Sequence, residues 1–256
     1  MIETINLKKS FDSFEVLKGL NTTFEEGKTN LVIGASGSGK TVLLKCLFGL
    51  EEPTSGDIIY NGSSFTQMNK RSLQELRKKI GVGFQMGALF DFTDVKGNVQ
   101  FPLDMFTNLT TKEKEIQVDK VLDRVNLLHA KNKRADELSG GMKKRVSIAR
   151  AIVNNPHFLF FDEPNSGLDP KTSVVIDTLI HEITVEYKTI TVINTHDMNS
   201  VLEIGDKIIF IKNGLIEWEG NKNEILTTKN QDVSDFVYSS ELFKQLRTSI
   251  INNKNK

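Results

Sequence analysis

The sequence predicts an α/β fold of three layers built around a phosphate-binding loop, and three observations carry this. Apolar Leu31, Val32 and Ile33 lead into Gly34-Ala35-Ser36-Gly37-Ser38-Gly39-Lys40-Thr41, and Thr41 to Phe48 continues as a short buried helix. His157 to Phe161 is an unbroken apolar run closed by Asp162 and Glu163, the pattern of a central parallel strand covered on both faces. Strand-like and helix-like stretches alternate around these two segments.

Ile2 to Lys9 and Leu20 to Phe24 read as strands ahead of the loop, with a tight turn at Glu25-Glu26-Gly27-Lys28. Strands in that position predict a small antiparallel β subdomain packed on the nucleotide core. Asp57 to Tyr60 is a strand closed by Asn61-Gly62, a strong hairpin signal. Ser72 to Lys79 is helical in composition, and Ile80 to Phe84 is a short strand ending at Gln85. From about Gly87 to Val153 an inserted helical subdomain is expected. Within it, Val95 to Phe101 is a helix halted before Pro102. Thr111 to Val125 follows, its apolar residues at helical period and Thr110 or Thr111 as N-cap. Met142 to Val153 is a third helix, after Leu138-Ser139-Gly140-Gly141. Beyond Glu163, Lys171 to Val185 is helical, Thr189 to Asn194 a strand and Asp197 to Glu203 a short helix. Lys207 to Lys212 and Leu215 to Glu219 form a hairpin on Asn213-Gly214. One domain over residues 1–240 is expected, then a helical tail over 241–256 with a frayed end.

Hydrophobic residues make up 38% and charged residues 26% of 256, which suits a globular chain. No run of about 18 apolar residues exists, so no membrane-spanning helix is expected, and the N-terminus does not read as a signal peptide. A single cysteine, Cys46, excludes an internal disulfide. A formal net charge of zero offers no electrostatic case for nucleic acid. His129, His157 and His181 lack acidic or thiol companions in sequence, so no zinc site is expected.

The glycines of the loop let backbone N–H groups approach phosphate oxygens, and the helix N-terminus behind adds its dipole. Lys40 would reach the β- and γ-phosphates, and Thr41 would place its hydroxyl on Mg²⁺. Asp162 stands where a second Mg²⁺-related carboxylate is needed, and Glu163 could polarise water towards the γ-phosphorus. Gln85 could ligate Mg²⁺ or hold the attacking water. His196 could hydrogen-bond the γ-phosphate. Leu138 to Gly141 offers a second anion nest at a helix start, or an ordinary Gly-rich cap. Two such helix ends in one chain suit a nucleotide held between two chains.

With these segments in hand, the chain resembles the nucleotide-binding subunit of ATP-binding-cassette (ABC) transporters over about residues 2 to 240. Gly34 to Thr41 resembles the Walker A loop, Gln85 the Q-loop, and Leu138 to Met142 the family signature. Phe158 to Glu163 resembles Walker B, Ser166-Gly167-Leu168-Asp169 the D-loop, and His196 the switch histidine. Phe11 matches the aromatic that stacks on adenine, though the family often has Tyr. Met142 replaces the usual Gln, and Pro164-Asn165 the usual Pro-Thr. The resemblance implies a P-loop NTPase core of ABC ATPase type that binds ATP and Mg²⁺. Its nucleotide contacts would be Phe11, Gly34, Ala35, Ser36, Gly37, Ser38, Gly39, Lys40, Thr41 and Val42. Catalysis would fall to Glu163, His196, Gln85 and Lys40, with Thr41, Gln85 and Asp162 at the metal. A head-to-tail homodimer would bring Ser139, Gly140, Gly141, Met142 and Asp169 from the partner. An integral membrane permease would complete the machine, with this chain peripheral at the cytoplasmic face of the inner membrane.

Met142 with Lys143, Lys144 and Arg145 further resembles the ATPases of MCE-protein lipid transporters of the Mla and Mkl type. So do Phe84-Gln85-Met86-Gly87-Ala88-Leu89-Phe90 and the Phe-Pro-Leu at 101–103. That implies lipid cargo, an MCE protein and in some cases a small STAS-domain partner. A transporter for another substrate, such as a small polar solute or a lipoprotein, is the alternative, because the ATPase never touches its cargo.

Overall fold

The computed structural model describes residues 1–85 and 87–239. Strands β1 (Ile2–Phe11), β2 (Phe14–Phe24), β4 (Ser55–Tyr60) and β5 (Ser63–Ser64) make an antiparallel sheet in the order β2-β1-β4-β5. A second sheet uses β3 (Thr29–Ile33), β6 (Ile80–Gly83), β7 (Phe158–Asp162), β8 (Ile190–Asn194), β9 (Lys207–Lys212) and β10 (Leu215–Gly220). Its order is β10-β9-β3-β8-β7-β6, with β9 to β6 parallel and β10 antiparallel at the edge. Between β6 and β7 lie α3 (Val95–Phe106), α4 (Thr111–Arg124) and α5 (Gly140–Ile152). The other helices are α1 (Lys40–Leu47), α2 (Lys70–Arg77), α6 (Pro170–Tyr187), α7 (Met198–Ile204) and α8 (Gln231–Val237).

The strand pleat sorts the core into two bodies. Leu31 and Ile33 of β3, with Leu159 and Phe161 of β7, face the helices α3 to α7. Val32, Phe158 and Phe160 face α1 and the antiparallel sheet. Every residue of β3 and β8 is buried, as a strand covered on both faces requires. These are the three layers expected, with the N-terminal β subdomain and the inserted helical block in place.

Both hairpins turn on residues with positive φ, 48° and 82° at Asn61-Gly62 and 51° and 79° at Asn213-Gly214. Thr110 caps α4, and Glu113 returns the bond to the Thr110 backbone N–H in a capping box. The strand expected from Leu20 begins earlier, at Phe14, because it pairs with β1 along most of its length. The third inserted helix starts at Gly140, two residues before the apolar pattern, because Ser139 takes the N-cap and accepts from Met142 N–H. The expected tail over 241–256 lies outside the described residues.

One expectation fails. Helix α3 does not stop before Pro102 but runs through it to Phe106. An interior proline costs about 3 kcal/mol. Burial of Val99 and Leu103 offsets that at about 1.5–3 kcal/mol each. Asp94 also caps the helix through Gly97 N–H at 2.7 Å, and the buried Asn98 amide donates to Phe90 O and Asp94 O. Pro102→Ala should therefore stabilise the protein, by up to about 3 kcal/mol, through the restored helix bond. Urea unfolding checks this, and a lower midpoint would contradict it.

Candidate active site

Four neighbouring strands end at one edge of the parallel sheet. The phosphate loop leaves β3, Gln85 lies two residues past β6, Asp162 closes β7, and His196 lies two residues past β8. This is where an open α/β sheet offers a crevice. A cavity of about 700 Å³ sits there, walled by Gly34–Gly37, Gly39–Val42, Gln85, Glu163 and His196, with Phe14, Val16 and Phe236.

The loop is pressed tight against its neighbours. At Gly34, with φ 147°, a Cβ would lie 2.2 Å from Ile211 O, so only glycine fits. Gly39 caps α1 with φ 107° and offers no side chain, which leaves the first-turn N–H groups pointing into the cavity mouth. Lys40 Nζ donates to Gly34 O at 2.8 Å and Ala35 O at 2.9 Å. Burial lowers the Lys40 pKa, and the nearby Glu163 and Asp162 carboxylates oppose that shift. Ser38, expected among the nucleotide contacts, does not line this cavity, and its buried Oγ has no hydrogen-bond partner among the described residues.

Thr41 Oγ1 donates to Asp162 Oδ1 at 3.3 Å, and Asn194 Nδ2 donates to the same oxygen at 3.1 Å. One hydroxyl and one carboxylate suit Mg²⁺, which keeps water and phosphate oxygens in its shell. No cluster of three His, Cys, Asp or Glu able to hold a metal occurs among the described residues. His196 Nδ1 lies 2.6 Å from Glu163 Oε2. Glu163 has φ 49°, a conformation costing on the order of 1–3 kcal/mol outside glycine, and its N–H donates to Asn194 O at 3.0 Å. Gln85 Nε2 donates to Ser166 Oγ at 3.3 Å, so this side chain rests on the segment that follows Glu163.

Some expected residues stand apart. Ser139, Gly140, Gly141 and Met142 do not line this cavity. Ser139 and Gly140 are exposed at the start of α5. Asp169 caps α6, accepting from Thr172 N–H and Oγ1, and those bonds lower its pKa. Phe14 lies on the cavity wall and Phe11 does not. The two are partners across the β1–β2 hairpin, and Lys9 Nζ sits 4.7 Å from the Phe11 ring centre. His181, expected to lack an acidic companion, lies 3.7 Å from Asp206, which is distant in sequence, and this pair is away from the edge.

Sequence reading missed Phe14, Phe236, Asn194 and Asp177. Asn194 had only its strand-end position to mark it. Asp177 is 3% exposed on α6, beneath the segment that follows Glu163. Asn165 Nδ2 donates to Ser200 Oγ at 3.1 Å, while the buried Asp177 Oδ1 has no hydrogen-bond partner among the described residues. Burial raises the Asp177 pKa to about 6, opposed by the nearby Ser200 and Asn165 side chains.

The ABC transporter family model matches residues 17–166. The chain is 37% identical to the phosphonates import ATP-binding protein PhnC 1 of Ruegeria sp. (strain TM1040), covering 93% of this chain and 95% of that protein. It is 36% identical to the arginine transport ATP-binding protein ArtM of Bacillus subtilis (strain 168), covering 93% and 98%. It is 34% identical to the methionine import ATP-binding protein MetN of Corynebacterium diphtheriae, covering 94% and 72%. Among solved structures, the dimeric ABC transporter cassette MJ0796 superposes with TM-score 0.80 at 30% identity, over 87% of this chain and 99% of that one. The cbiO1 subunit of the Clostridium perfringens cbiONQ transporter complex gives TM-score 0.82 at 29% identity, over 96% and 98%.

Asp177 carries a pH signature. Its folded pKa, about 6, exceeds the ordinary value of 3.8, so the folded state binds the extra proton. Stability from this group is present below pH 4 and lost as pH rises through 6, about 2–3 kcal/mol in all. Asp177→Asn should flatten that part of the stability profile in denaturant titrations from pH 4 to 7. An unchanged slope would contradict the assignment.

Proposed function

The chain belongs to the ABC transporter family and is its ATP-binding, ATP-hydrolysing subunit, and from that premise we propose that it powers a membrane permease for a small polar solute. The observation that carries the catalytic half is the single edge where the phosphate loop, Asp162, Glu163, Gln85 and His196 meet. In this reading Gly34 to Val42 wraps the triphosphate and Lys40 neutralises its terminal oxygens. Thr41 and Asp162 hold Mg²⁺, with Gln85 as a further ligand. Bound Mg²⁺ offsets phosphate charge during transfer. Glu163 takes the proton of the attacking water, and His196, bonded to it, steadies the γ-phosphate. An aromatic from the β1–β2 hairpin, Phe11 or its partner Phe14, stacks on adenine.

Ser139 to Met142 and Asp169 lie off this cavity, which supports a head-to-tail dimer in which each chain supplies these residues to the nucleotide held by its partner. The permease would seat in a groove of about 520 Å³ between the core and the helical insertion, lined by Phe48, Phe84, Phe90, Phe101 and Phe106. No described helix is long and apolar enough to cross a membrane, so the proposed place at the cytoplasmic face of the membrane depends on that docking. The cargo class rests on the relatives, whose names state phosphonates, arginine and methionine. The second reading, a lipid transporter with an MCE protein and a STAS-domain partner, has the Met142-Lys143-Lys144-Arg145 segment in its favour. None of the relatives above supports it.

Glu163→Gln should retain ATP binding and lower turnover by about 10²-fold or more. ATP should then double its mass in light scattering, and an unchanged mass would count against the paired site. Lys40→Ala should weaken ATP binding roughly 10- to 100-fold, as read by equilibrium titration. Gentle-detergent copurification with mass spectrometry separates the cargo readings. A permease with a solute-binding protein supports the first, and a permease with an MCE protein overturns it for the second.

A further inference from the structure

We propose that Lys144 is a positioning residue for ATP hydrolysis, tying the Gln85 loop and the Glu163 loop to the helix that begins at Ser139. Lys144 sits in the second turn of α5 and is 8% exposed. Its ammonium donates to Gln85 O and, at 3.4 Å, to Glu163 O. Those carbonyls belong to segments after β6 and β7, and nothing in the local sequence brings them together.

The partners are backbone atoms, so the contact holds loop position and leaves both functional side chains free. That matters most at Glu163, whose φ of 49° needs support. Asn194 O takes its N–H from one side and Lys144 its carbonyl from the other. Gln85 is held in the same way, and Arg150 of α5 grips the loop beyond it through Gly87 O at 2.6 Å and Ala88 O at 2.8 Å. A buried ammonium is costly unless its donors are used. Burial lowers its pKa, and the Glu163 charge opposes that shift. A lysine is a costly way to fill space, and an apolar side chain such as Met would pack there without burying a charge. Lys144 does not line the nucleotide cavity, so its loss should leave ATP binding alone. Movement of α5 would reach the backbone of Glu163, and through it the placement of the carboxylate, by way of this one side chain.

This inference rests on Glu163 being the base. Lys144→Met, Lys144→Ala, Lys144→Gln and Glu163→Gln are made in the full chain, and each is measured for kcat, for affinity to a fluorescent ATP analogue and for melting temperature. A loop displaced by about 1 Å costs roughly 10²-fold. Lys144→Met should therefore lower kcat about 10- to 100-fold with analogue affinity within about twofold. Lys144→Gln, which retains two N–H donors, should recover part of the loss. Lys144→Ala serves if Lys144→Met does not fold. Wild-type kcat in a folded Lys144→Met or Lys144→Ala protein overturns the inference, as does a parallel fall in kcat, affinity and melting temperature. An inactive Glu163→Gln beside a fully active Lys144→Met sinks only the role of Lys144. A fully active Glu163→Gln sinks both readings.

Discussion

Parallel hydrogen bonding among β3, β8, β7 and β6 constrains everything else in this protein. Asp162 pairs in register with Asn194, and Asn194 with Val32, so three strand ends line up within two residues of one another. The loop after β3 can then meet Asp162 through Thr41, and Asn194 can reach Asp162 from the side. A slip of one residue in β7 would turn Asp162 into the core and Phe161 towards the loop. The alternation of Phe158, Leu159, Phe160 and Phe161 between the two core bodies makes that slip very unfavourable, since each ring would lose its place. Packing of an apolar strand thus sets the geometry of a charged site.

Electrostatics at that edge is organised as pairs that can be exchanged. Lys40 sits on two loop carbonyls, Glu163 on His196, and Gln85 on Ser166. Each contact satisfies a polar group at the rim that the family assigns to phosphate, water or metal. A bound triphosphate would trade these contacts for stronger, charge-assisted ones. The Gln85–Ser166 contact joins the segment after β6 to the segment after β7. Burial lowers the Lys40 pKa while Asp162 and Glu163 oppose it, so the loop lysine depends on the acids across the cavity.

Much of this was legible in the sequence, for local reasons. The phosphate loop, the acidic end of β7 and the two hairpins depend on residues adjacent in the chain, where spacing carries the chemistry. What escaped depends on neighbours that are distant in sequence. Phe236 reaches the cavity from a helix near the C-terminal end of the described chain, and nothing in its own surroundings marks it. Asp177 looks like one more helix acid until Ser200 of α7 and Asn165 close over it. Pro102 broke a local rule because Val99 and Leu103 had a core to enter. Lys144 read as part of a basic helix start, yet it is buried on two distant loops. The cargo was least legible of all. Short motif variants pointed to lipid, and whole-chain relatives point to small polar solutes.

In the proposed head-to-tail dimer each chain holds half of a nucleotide site. Cysteine cross-linking of a chain carrying Ser36→Cys and Ser139→Cys, with Cys46→Ser to remove the native thiol, tests this. Cys46 is buried, and its thiol pKa is raised to about 12, so its removal takes away no reactive group. In a variant also carrying Glu163→Gln, a disulfide between two chains should form only with ATP. A cross-link within one chain, or none with ATP present, would contradict it.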